Sequence, residues 1–187
     1  MVAALIEATA RCITAHGLDN TTTPRIAEIA GGSVGSLYQY FDGKEALIEA
    51  LVEKLAGDVA QGVKRLPLSA DIPLRDAVHA AIRFGFAMLN ASDGLYLELA
   101  RNWHSVQTQK VADILQQHFL EISRVYFLRH YRDHPIEDLE VRVFIITNST
   151  IFTMVRLISQ DNVLLNQDAV AQGLTDMVTG YLGLPDR

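Results

Sequence analysis

Thr21 to Phe41 reads T-T-T-P-R-I-A-E-I-A-G-G-S-V-G-S-L-Y-Q-Y-F, and its punctuation decides the fold. Proline at a first helical position gives up no useful backbone donor and pushes Thr23 toward the extended geometry of an N-cap residue, so a short helix opens at Pro24. Gly31 and Gly32 stop it, and Ser33 can cap a third helix running from Val34 to Phe41. On that helix Leu37 and Phe41 are four apart and share a face, which can pack on Ile26, Ile29 and the Leu5 and Cys12 of a preceding helix. Ser36, Gln39 and Tyr40 then face outward, with Tyr38 at the margin. This polar, aromatic, uncharged set suits hydrogen bonds to phosphates and base edges.

Outward from this stretch the same signals continue. A first helix runs to about His16, with Gly17 as its left-handed cap residue. Asp42 begins D-G-K-E, a capping-box spacing with Glu45 placed to reach back, and a long helix follows to about Val63. Leu66 to Pro73 is a proline-rich joint. Beyond it apolar residues recur at threes and fours, giving helices at about Leu74–Ala91, Gly94–Trp103, Ser105–Tyr131, Ile136–Gln160 and Asp168–Leu182. The expected fold is all-α: a tri-helical helix-turn-helix unit, residues 1–48, entering helix four, and a larger helical part, residues 49–187.

Composition limits the function. With 187 residues, 49% of them hydrophobic, the chain can bury a core without metal or disulfide, and its single cysteine, Cys12, leaves no disulfide framework. The expectation is a reducing cytoplasm, with no secretion signal and no membrane span, since Arg142 interrupts the apolar run Val141–Ile146. No nucleophile elbow, H-E-x-x-H, phosphate loop or dinucleotide fingerprint is present, so an enzyme is not expected and no cofactor is implied. His130 and His134 flank Asp133 at a metal-capable spacing, but cations before Pro135 suit a helix C-terminus, and no metal site is assigned. The net charge of −6 argues at first against nucleic acid. Residues 1–65, however, hold six cations and eight anions, so most of the acidity lies in the C-terminal part.

The motifs T-T-x-P-R-I-A-E-I-A at Thr21–Ala30, A-G-G-S-V-G-S-L-Y-Q-Y-F at Ala30–Phe41 and K-E-A-L at Lys44–Leu47 resemble the TetR family of transcriptional regulators. The resemblance covers roughly Leu5 to Leu55. It implies that Ser33, Val34, Gly35 and Ser36 start a recognition helix in the major groove, with Gly35 allowing close approach of DNA. It further implies that Tyr38, Gln39 and Tyr40 make phosphate and base contacts, that Lys44 meets a phosphate at the start of the fourth helix, and that Thr23 and Arg25 contact DNA from the second helix. Gly32 departs from the pattern, which usually has valine there. The chain also starts four residues before Leu5, so either the true start lies upstream or DNA is bound without a basic arm.

The last two helices read as a pairing unit, because Ile136–Gln160 is apolar on most faces and the final helix carries Val170, Leu174, Val178, Tyr181 and Leu182. The resemblance implies a homodimer through these helices, which would present two recognition helices to a palindromic operator in double-stranded DNA. It also implies a pocket for an apolar or aromatic small-molecule effector, with candidate lining residues Phe84, Met88, Tyr96, Trp103, His104, Phe119, Tyr126, Asn148 and Phe152. The expected function is a ligand-released repressor. The alternative is a helical small-molecule or partner-binding protein of the same fold that has lost DNA binding.

Overall fold

The computed structural model describes residues 1–66, 72–91, 93–102, 116–117, 120–121, 123–127, 136–159 and 165–183. Its helices among these residues are α1 (Val2–His16), α2 (Thr23–Ile29), α3 (Val34–Leu37), α4 (Lys44–Lys64), α5 (Leu74–Ala91), α6 (Leu95–Arg101), α7 (Leu139–Ile158) and α8 (Gln167–Leu182). No strand occurs among the described residues. The chain divides into two compact units: Met1–Asp58 with the described residues of 90–114, and Val59–Leu89 with the described residues of 115–187.

In the first unit, α1 buries Leu5, Ala8, Cys12 and Ile13 along one face, a three-and-four spacing that places them in a stripe. Leu5, Ala8 and Cys12 pack with Ile26 and Ala27 of α2, Leu37 of α3 and Leu47 of α4, and Phe41 closes the edge of this cluster. Leu37 is completely buried. Removing a side chain of that size from water stabilises the unit by about 1.5–3 kcal/mol. A second cluster joins Ile13 and Leu18 to Ile48, Leu51 and Val52 of α4 and to Leu95 and Leu99 of α6. Cys12 is a buried core thiol.

Gly17 ends α1 with φ 77° and ψ 163°, a region in which side chains are strained, and a Cβ there would stand 3.3 Å from Glu98 Oε1. The positive φ favours glycine, and a Cβ would also press the Glu98 carboxylate by a few tenths of an ångström.

In the second unit α5 and α8 are tied by polar pairs at every turn. Arg75 binds Asp176, His79 Nδ1 lies 3.1 Å from Thr175 Oγ1, and Arg83 reaches Asp168 at 3.0 Å. Thr175 donates its own proton to the Ala171 carbonyl at 2.8 Å, so its oxygen accepts from His79, which fixes the imidazole proton on Nδ1. The hydrogen bond from the Arg75 guanidinium holds the Asp176 carboxyl below the usual carboxylate range. Beneath this ladder Ile82 and Phe86 pack with Met154 and Leu157 of α7 and Ala171 and Leu174 of α8.

Several sequence expectations shift. The N-cap of α2 is Thr22 (φ −134°, ψ 153°) and not Thr23, because the Thr22 carbonyl already accepts the Ile26 N–H at 3.0 Å. Regular α3 ends at Leu37; the chain to Phe41 continues as turns, with the N–H groups of both Tyr40 and Phe41 converging on the Leu37 carbonyl. The segment expected to form a helix over Ser105–Tyr131 lies largely outside the described residues. By length and composition α7 is long and apolar enough to cross a membrane, a correction to the reading that Arg142 excludes it. Arg142 instead turns aside, donating to the Glu137 and Tyr181 carbonyls and stacking over the Tyr181 ring at 5.2 Å.

Candidate nucleic-acid interface

The α2–turn–α3 segment is held by hydrogen bonds among its own residues. Ser33 caps α3 by accepting the Ser36 N–H at 3.1 Å, while Ser36 Oγ accepts the Ser33 N–H at 3.1 Å and donates back to the Ser33 carbonyl at 2.7 Å. This reciprocal box satisfies donors that a helix N-terminus otherwise leaves open. A Cβ on Gly32 would lie 3.2 Å from Ser36 Oγ. A larger side chain there would need the Ser36 hydroxyl to give by a few tenths of an ångström.

With the inner face held by Leu37, the outer face carries Tyr38 and Tyr40, exposed by 54% and 49%, and exposed Gln39. Gly35 is exposed as well, and a Cβ there would meet only Ser33 Oγ at 3.9 Å, so nothing within the chain demands glycine. Val34 packs against the core from its edge, and Thr23 is half-buried at the start of α2.

The cations near this face are held by backbone carbonyls. Arg25 Nη1 donates to the Asn20 carbonyl, and Lys44 Nζ donates to the Leu18 carbonyl at 2.8 Å. An ammonium has three protons, so Lys44 keeps donors beyond the one Leu18 accepts. Arg11 of α1 reaches the Ile29 carbonyl at the end of α2 at 3.1 Å. Its partner is eighteen residues away, and no local spacing announces such a pair.

Glu98 of α6 is a second residue that sequence reasoning misses. Its Oε1 accepts the Leu18 N–H at 3.1 Å, and Asn102 Nδ2 approaches the same atom at 3.4 Å. Leu18 is therefore held at both ends, by Glu98 at its N–H and by Lys44 at its carbonyl.

The residues expected to line an effector pocket separate. Tyr96 belongs to the first unit, where burial and the charge of Asp58 push its phenol up to about 12. Phe84, Met88, Tyr126, Asn148 and Phe152 belong to the second. Phe84 and Met88 are half-buried, Tyr126 donates to the Ile72 carbonyl at 3.3 Å, and Asn148 Nδ2 donates within α7 to the Phe144 carbonyl at 2.8 Å. Phe152 is 71% exposed and lines no interior of the single chain, because its position on α7 is opposite the buried Met154 face. Trp103, His104, Phe119, His130, Asp133 and His134 lie outside the described residues. Among the described residues no group of side chains has the makings of a metal site.

The family model for bacterial regulatory proteins of the tetR family matches residues 5–51. Residues 5–51 are thus a segment of the tetR-family type. It is 23% identical over 138 residues to the nucleoid occlusion factor SlmA of Mannheimia succiniciproducens, covering 70% of this chain and 63% of that protein. It is 34% identical over 82 residues to the HTH-type transcriptional regulator BetI 1 of Chromohalobacter salexigens, covering 44% and 41%. The chain thus spans less than two thirds of the length of either relative. Its fold matches that of the fatty acid degradation regulator FadR from Bacillus halodurans with a TM-score of 0.74 at 18% identity, over 100% of this chain and 97% of that one. The TetR-type match therefore falls on the tri-helical unit that carries Tyr38, Gln39 and Tyr40.

Proposed function

We propose that this protein is a homodimeric transcriptional repressor released from DNA by a small-molecule effector. The observation that carries the reading is the pairing of an exposed Tyr38-Gln39-Tyr40 face with a capped, glycine-opened helix start inside a TetR-type helix-turn-helix. In this reading residues 1–48 form the DNA-binding domain and residues 49–187 bind the effector and dimerise. Ser33, Val34, Gly35 and Ser36 enter the major groove; Thr23, Arg25, Tyr38, Gln39, Tyr40 and Lys44 contact phosphates and bases. The partner is a palindromic operator in the cytoplasm.

Dimerisation is supported by the apolar residues left open on the last two helices. Val141, Phe144, Ile145 and Phe152 of α7 and Met177 and Tyr181 of α8 are each at least 39% exposed. An isologous contact of α7 and α8 with a second copy would cover them and set the spacing of two recognition helices. An effector that prefers another spacing would weaken DNA binding by population shift.

The test is a titration of the protein against the DNA upstream of its own coding region, followed by fluorescence anisotropy. Specific binding above random duplex is expected, weakened by Tyr40→Ala with Lys44→Ala; equal binding by the double variant would remove the assigned surface. A second reading, favoured by the similarity to a nucleoid occlusion factor, is a DNA-bound protein whose C-terminal part receives a protein partner and not a small molecule.

A further inference from the structure

Buried threonines in this fold follow one habit. Thr9 donates to the Leu5 carbonyl at 2.8 Å, Thr21 to Gly17 at 2.8 Å and Thr175 to Ala171 at 2.8 Å, each four residues back. On α7 Thr153 donates to Ser149 at 2.7 Å, and the C-cap residue Ser159 donates to Val155 at 2.6 Å. Thr150 does not. Its residue is only 9% exposed, its hydroxyl oxygen is buried, and it has no hydrogen-bond partner among the described residues. The carbonyl of Ile146 stands one rotamer away in the same helix, so the missing bond is a matter of where the hydroxyl is aimed.

The surroundings are apolar and adaptable. Thr150 shares the buried face of α7 with Val143 and, one turn on, Met154. Met154 packs with Ile82 and Phe86 of α5, and its methyl and sulfur lie 3.1 and 3.2 Å from where a Cβ on Gly85 would stand. The absent side chain at Gly85 gives Met154 its room. Methionine, with three rotatable bonds and a soft sulfur, is the side chain best able to move aside for an apolar guest. No charged group is buried among the described residues of the chain. The other buried residues on this face of α7, Val143, Met154 and Leu157, are apolar.

We infer that Thr150 is the polar anchor of an effector site beside Met154, and that its ligand is a neutral, largely apolar molecule carrying one hydrogen-bonding oxygen. This deepens the effector-binding reading above and rests on it. An uncharged ligand follows from the uncharged wall, since a buried ion without a partner is strongly disfavoured. A single oxygen follows from the single unpartnered hydroxyl.

The probes are p-cresol and p-xylene, which differ only by a hydroxyl in place of a methyl group. Binding to the full chain is read from the Met154 methyl resonance in protein labelled at methionine methyl carbons, assigned with Met154→Leu. p-Cresol is expected to bind about tenfold more tightly than p-xylene, the worth of one buried hydrogen bond. Thr150→Val is expected to bring that ratio to about one while leaving p-xylene binding and thermal stability unreduced. A ratio unchanged by Thr150→Val overturns the assignment, as does equal binding or no binding of the two probes by the native chain. A fall in stability of Thr150→Val would also overturn it, because it would show that the hydroxyl was already bonded. DNA is absent from this experiment, so failure of the repressor reading would appear separately, as operator binding that never exceeds background.

Discussion

Glu98 Oε1 accepts the Leu18 N–H at 3.1 Å across eighty residues of sequence. Because Lys44 binds the carbonyl of the same residue, buried Leu18 has neither polar backbone group left without a partner. Glu98→Ala should strand the N–H and lower stability by about 1–2 kcal/mol, whereas Glu98→Gln, which keeps an acceptor oxygen, should lose less than half as much. Urea unfolding followed by circular dichroism distinguishes the two, and equal losses would remove the hydrogen bond from the account.

Gly62 and Phe84 offer a sharper steric case. A Cβ on Gly62 would stand 2.2 Å from Phe84 Cζ, while one on Gly57, on the same helix, would meet nothing within 4 Å. Gly57→Ala should therefore stabilise the helix by about 0.5–1 kcal/mol through propensity alone. Gly62→Ala should reverse the sign and destabilise by about 1–3 kcal/mol. In a Phe84→Leu background that loss should shrink, and a double-mutant cycle reads the coupling directly.

Tyr96 predicts an alkaline limit. Its folded pKa of about 12 lies above the ordinary phenol value near 10, so the folded state favours the protonated ring. The sign is that of a raised acid: its contribution is complete below pH 10 and is lost as pH climbs from about 10 to about 12. Tyr96→Phe should flatten the stability profile over that interval. In a spectroscopic titration at the phenolate band, the native chain should show one late tyrosine that the variant lacks.

Salt should affect operator binding weakly. Arg25 and Lys44 are the cations assigned to DNA, which gives four in a dimer and a slope of log K against log salt of about −3.6. A slope near −8 measured by anisotropy would mean that cations outside this pair carry the contact.

The tri-helical unit was legible because its signals are local. Pro24, Gly31, Gly32 and Ser33 mark helix ends within a few residues, and Leu37 and Phe41 declare one face by their spacing. Ser33 was legible as the cap of α3, whereas the return bond from Ser36 was not. The third helical position of a capping box is usually Glu or Gln, and a serine there carries no such signal. Glu98 and Arg11 were illegible for a different reason, since each bonds to a backbone group that carries no side-chain identity. Thr150 was hidden among the threonines of T-N-S-T-I-F-T, Thr147 to Thr153, where only the structure tells which hydroxyl lacks a carbonyl.

The carbonyl bonds of Arg25 and Lys44 bear on affinity through entropy. A free lysine or arginine on a protein surface must surrender about 2 kcal/mol of rotamer freedom when it is fixed against a phosphate. In the proposed complex both side chains would start from a held position, and the serine box likewise orders the start of α3. A surface with few positive charges can in this way recover through preorganisation part of what it lacks in number.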